Sequence, residues 1–264
     1  MMERLNLDAY KLKWFAIIAM VLNHMAIAWW DIIPSWLVFP LYAIGGLTFP
    51  IMAYFVVEGY KHTSNLKRYI FRILMVGIIA MPFHILALGV PLGGGNPALY
   101  PWLNIMFSIA LSLIVLVIYD KIKFRILFWL IYIVVIIPVS FLFFEWYFIG
   151  ITMVLLFYII KNETARRIVP PVFTAVSWAV FGLLAGFMPT YEGMSGLIMN
   201  PDFMLVMPTF AIGSLLAAFL IKNYNGGRGK KMKWLFYMFY PLHLAVLLGV
   251  AIILGIADLS LIGL

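Results

Sequence analysis

The chain has 264 residues, 66% of them hydrophobic and 11% charged, with a mean hydropathy of +1.08 and a formal net charge of +8. That balance excludes a water-soluble globule, and at roughly 20 residues per membrane-crossing helix it leaves no length for a separate soluble domain. Residues 1–264 therefore read as a single all-α polytopic membrane domain, and the absence of cysteine excludes disulfides, thiolate metal sites and cysteine nucleophiles.

Apolar stretches and their breaks predict nine spans, at about 13–31, 36–60, 69–90, 102–119, 126–142, 146–160, 168–187, 204–221 and 234–254. The segments 1–13, 61–72, 120–125, 161–167 and 222–233 hold all 18 Lys and Arg residues, and the alternate connections hold none. By the positive-inside rule the amino terminus is cytoplasmic and the carboxyl terminus outside, in a multi-pass protein of the cytoplasmic membrane. The positive charge thus marks topology against the lipid bilayer, and no nucleic-acid partner is expected. The opening MMERLNLDAYKL lacks the apolar core of a signal peptide, so the first span is expected to be retained.

Within the first span, His24 follows Lys13 after ten intervening residues and is preceded by Asn23. It lies about 16 Å along the helix from Lys13, near the midplane of a hydrocarbon core ~30 Å thick, where an imidazole is costly and a functional candidate by default. Span two contains Pro40, Gly45, Gly46 and Pro50, yet the charge parity requires one interrupted crossing. Its cytoplasmic end carries Glu58, Lys61 and His62, followed by Lys67, Arg68 and Arg72. Those cations suit a phosphorylated ligand, and equally suit an anchor on anionic lipid.

His84 falls near the outer end of span three, where a packing role through hydrogen bonding between helices is expected ahead of a functional one. Segments 91–101 and 188–203 are rich in turn formers and are expected to fold as outer lids. Asn104 begins span four, and Glu145 marks the outer turn between spans five and six. Trp29, Trp30, Trp36, Trp102 and Trp146 fall at outer ends, as an interfacial belt requires. The loop KNYNGGRGKKMK lacks the order of a phosphate-binding loop and reads as a solvated connection. In the last span Tyr240 precedes His243, which lies about 13 Å deep and so matches His24 in depth. No local spacing suits a metal ion, and none is expected.

Three segments together resemble a known family. KWFAIIAMVLNH resembles the R-x10-H signature of the integral-membrane acyltransferase type 3 superfamily, with Lys13 for its arginine and His24 for its histidine. FPIMAYFVVEGYKHTSNLKRYIFR resembles that superfamily's FF-x-x-SG helix and arginine pair, with Glu58-Gly59 replacing Ser-Gly and Arg68 and Arg72 near the arginines. FYPLHL resembles its late Y-x-x-H helix. Within the superfamily the likeness is closest to the TraX family, named for a conjugal-transfer protein that acetylates the amino terminus of pilin. It covers most of residues 11–108 and 233–246, with Asn23-His24 where that family usually carries Asp-His.

The resemblance implies an acyltransferase that takes acyl-CoA, acetyl-CoA foremost, from the cytosol. Its acceptor is an amine or hydroxyl on a peptide, a glycan or a lipid headgroup. His24 would be the general base, with His243 and Glu58 as its catalytic partners. Lys13, Lys61, His62, Lys67, Arg68 and Arg72 would hold the coenzyme, and Asn23, Asn104 and Tyr240 would contact the substrates. Two rivals stand beside it: a proton-coupled transporter or flippase using His24, Glu58 and His243 as a relay, and a noncatalytic membrane assembly factor. A homo-oligomer is compatible with each.

Overall fold

Several helices begin where a polar residue caps an apolar run. The Asp8 side chain accepts the Lys11 amide, Asn65 accepts the Arg68 amide and Asn104 accepts the Met106 amide, each starting a helix. The computed structural model describes residues 5–30, 32–89, 103–185, 207–231 and 233–257. In order these form α1 (Ala9–Ala28), α2 (Ser35–Gly45), α3 (Thr48–His62), α4 (Leu66–His84), α5 (Ile105–Lys121), α6 (Arg125–Ile131), α7 (Ile137–Phe143), α8 (Tyr147–Ile159), α9 (Glu163–Ala185), α10 (Phe210–Lys222) and α11 (Lys233–Ile253). A π-helical turn, Ile85–Gly89, extends α4, and another, Tyr132–Ile136, joins α6 to α7. Among the described residues no strand forms, only two isolated bridges, Leu7 with Tyr224 and Leu103 with Phe144.

The protein is an all-helical membrane protein. Five runs are long and apolar enough to cross a bilayer: Ala9–Ala28, Ser35–His62, Leu66–Leu88, Glu163–Leu184 and Trp234–Ile253. The second is the interrupted run. Gly46 and Leu47 break the helix between α2 and α3 but keep right-handed helical torsions, so the 28-residue stretch continues past its prolines and glycines. Other expected spans form shorter helices, with α8 and α10 at 13 residues each. Large apolar side chains such as Ile133, Val134, Val176, Leu183 and Val246 face outward, the arrangement that lipid rather than water favours. The expected lids and Trp102 lie outside the described residues.

All five basic segments meet at one end of the bundle. Tyr60 and Tyr158 both donate to Asp120, Arg166 pairs with Glu58, Arg167 donates to the Tyr224 carbonyl, and the Ala9 amide donates to the Gly227 carbonyl. At a different end of α5, residues 103–104 run beside the α7–α8 turn. Two cores form between these ends. One gathers Phe49, Ile51, Leu113 and Phe157, and the other gathers Tyr42, Trp178, Tyr240 and Leu244. Ile105, Met106 and Trp146 pack against both, so they mark the seam.

Candidate functional site

His24 and His243 meet. Because α1 starts at Ala9 rather than near 13, His24 lies about four-fifths of the way along it, whereas His243 is at the middle of the neighbouring α11. Both side chains are buried, at 6% exposure, and His24 Nδ1 stands 2.8 Å from His243 Nε2. The rings are nearly parallel, 14° apart with centroids at 5.0 Å, which sets the two nitrogens edge to edge.

The contacts determine the protons of the neutral pair. A carbonyl only accepts, so the 2.9 Å contact of His243 Nδ1 with the Phe239 carbonyl places a proton on that nitrogen. His243 Nε2 is then an acceptor, and His24 Nδ1 must donate to it. The remaining lone pair lies on His24 Nε2, to which no protein group bonds among the described residues. His243 thereby takes the orienting part, which the sequence leaves open among His243, Tyr240, Asn104 and Glu58.

His24 lines a cleft of about 690 Å³, counting its open side, on the seam between the two cores. Asn23, Tyr240, Phe236, Phe239, Trp146 and Glu145 share its walls. Asn23 is pressed against Gly45, where a β-carbon would stand 2.5 Å from the Asn23 side chain, so α1 and α2 approach this closely only with glycine there. Asn23 Nδ2, the Tyr240 hydroxyl and Glu145 Oε2 are all buried without a hydrogen-bond partner. Such atoms are costly in a dry interior and mark a place built for polar occupants.

Glu145 is the residue that sequence reasoning missed. It lies in the turn between α7 and α8, outside the predicted spans, but its carboxyl folds into the cleft instead of facing outward. Burial, only partly offset by the Ile105 amide, pushes that carboxyl up to about 7. The sequence signal was a lone carboxylate between aromatic residues, Phe144 and Trp146.

The other candidates divide. Lys13 Nζ lies 4.9 Å from the Phe55 ring and 5.0 Å from the Phe236 ring, which puts it at one end of the cleft. Arg72 reaches the next residue of α11, 5.9 Å from the Tyr237 ring, with its Nε unpartnered. Lys67 and Arg68 are exposed in the first turn of α4. Lys61 stands 3.9 Å from Glu58, and His62 Nδ1 donates to the Glu58 carbonyl, so both face a different cluster. Glu58 itself pairs with Arg166 at 3.0 Å, ten residues along α3 from the cleft residue Thr48, and the structure does not bring it to the histidines. Asn104 is also placed elsewhere: Nδ2 donates to the Gly77 carbonyl at 2.9 Å and Oδ1 caps α5, so its polar atoms serve the joint between α4 and α5.

A helical membrane protein with a paired imidazole facing a largely apolar cleft that holds a few polar groups is the class that fold and site define. The chain belongs to the TraX family, whose model, described as TraX protein, matches residues 8–251 and so takes in both histidines and Glu145. It is 30% identical over 261 residues to the probable fimbrial assembly protein FimC, serogroup H1, of Dichelobacter nodosus, covering 94% of this chain and 97% of that protein. No solved structure matches.

Proposed function

We propose that this protein is a membrane acyltransferase that moves an acyl group, acetyl foremost, from cytosolic acyl-CoA to an acceptor amine or hydroxyl. The observation that carries this is the free lone pair of His24 Nε2, held in the cleft by the chain His24–His243–Phe239 carbonyl. Nine crossings with a cytoplasmic amino terminus would put the basic end, with Lys13 and Arg72, on the coenzyme side. Lys13 and Arg72 would meet coenzyme anions there, while the thioester arm runs past Phe236 toward His24.

The acceptor attacks the thioester carbonyl carbon as His24 Nε2 takes its proton. Nδ1–H keeps its bond to His243 throughout. The new C–N or C–O bond forms, the C–S bond breaks, and the imidazolium returns the proton to the departing thiolate. General-base assistance of this kind is worth typically ~10²–10⁴-fold. The likeness to a probable fimbrial assembly protein supports a pilus subunit as the acceptor, and it also favours a second reading, an assembly factor without chemistry.

Purified protein incubated with labelled acetyl-CoA and membrane extract separates the two. Acyl transfer labels one acceptor fraction in proportion to the protein added. An assembly factor leaves the extract unlabelled above its background.

A further inference from the structure

The general-base step leaves three buried polar atoms of the same cleft unused, Asn23 Nδ2, Glu145 Oε2 and the Tyr240 hydroxyl. Tyr240 is 1% exposed, and its ring comes from α11, three residues before His243. Glu145 and Tyr240 line the cleft together with Ile105, the first residue of α5. Among the described residues no cation pairs with Glu145, so its carboxyl is not balanced as an anion.

The backbone is built to aim Glu145 inward. Its N–H donates to the Leu103 carbonyl at 3.1 Å, and its carbonyl accepts from the Ser108 hydroxyl at 2.6 Å. The next two residues, Trp146 and Tyr147, take φ of 65° and 46°, left-handed torsions that cost side-chain-bearing residues of order 1–3 kcal/mol each. Aromatic packing holds them, with Trp146 at 4.9 Å from Phe49 and 5.5 Å from Trp178. A turn that served only to reverse the chain at a membrane surface would not require this.

We propose that Glu145, in its protonated form, and Tyr240 together hold the carbonyl oxygen of the acyl thioester and the negative charge that develops on it. This rests on the acyl-transfer function proposed above. As the acceptor attacks, the carbonyl π pair moves onto oxygen, where both O–H groups donate to it and neither gives up its proton. The C=O bond re-forms as the C–S bond breaks. Donors aimed in a dry site at the charge of the transition state are worth ~10²–10³-fold each.

The test compares acetyl transfer by E145Q, E145L and Y240F with the parent and with H24A, all in proteoliposomes. Glutamine still donates a hydrogen bond, so E145Q should stay within about tenfold of the parent, while E145L and Y240F should fall ~10²–10³-fold in kcat. A second readout needs no turnover. In H24A loaded with [1-13C]acetyl-CoA, the thioester carbonyl stretch should lie below its value in water, and adding E145L or Y240F should raise it. E145L at the parental rate, E145Q as slow as E145L, or an unshifted carbonyl band would overturn the assignment. The E145Q and Y240F arms hold even where E145L does not fold. H24A at the parental rate, or a parent that neither binds nor transfers acetyl, overturns acyl transfer itself and this inference with it.

Discussion

Two polar assemblies lie in the same apolar bundle and differ in what they leave open. At the basic end Arg166 bonds Glu58 and Glu163, each at 3.0 Å, and the Tyr54 hydroxyl at 3.1 Å, while Arg167 bonds Glu163 and the Tyr224 carbonyl. That network ties α3, α9 and the chain after α10 together, and among the described residues Arg166 Nε is its one buried atom without a partner. In the cleft the pattern reverses. The histidine pair is satisfied on every side but one, and Asn23, Glu145 and Tyr240 add atoms that bond nothing. A saturated network stabilises, whereas an unsaturated one waits for an occupant.

Substitutions should separate the two in opposite directions. The largest effect expected is from H24A, with acetyl transfer reduced ~10²–10⁴-fold and the thermal midpoint in detergent close to the parent's. His243→Leu should slow transfer about a hundredfold, whereas His243→Gln, whose side-chain oxygen can accept from His24, should stay within about tenfold. A leucine variant as fast as the parent would break the pairing argument. Arg166→Ala should do the reverse of H24A. It should lower stability by about 2–4 kcal/mol, seen as an earlier unfolding transition, with transfer per folded molecule unchanged. Asn104→Ala should cost ~1 kcal/mol as a lost helix cap and leave the acceptor KM alone. The smallest effect sharpens the division of the cations: Lys13→Ala should raise the KM for acetyl-CoA several-fold, and Lys61→Ala should not.

What the sequence makes legible follows from periodicity and charge. Depth along two helices makes a shared site for His24 and His243 possible, because rise per residue needs no tertiary knowledge, but their lateral distance is not in the sequence. Charge parity gathers the basic segments at one end, and the proline–glycine pattern marks the interrupted run Ser35–His62. Partners distant in sequence stay hidden. Glu58 looks available beside His62, since Arg166, 108 residues on, cannot be seen to claim it. Asn104 looks like a substrate contact for a similar reason, its bond to Gly77 being tertiary. Glu145 is hidden by backbone geometry: two consecutive left-handed torsions, not any residue pattern, turn its carboxyl from the surface into the cleft.

The measurement that bears most directly on the site is the 15N spectrum of histidine-labelled protein at neutral pH. His24 and His243 should each carry their proton on Nδ1 and a bare Nε2, with the His243 Nε2 shifted by the bond it accepts, and H24A should erase both signatures. An Nε2-protonated or doubly protonated His24 would leave no base in the cleft and would contradict the assignment.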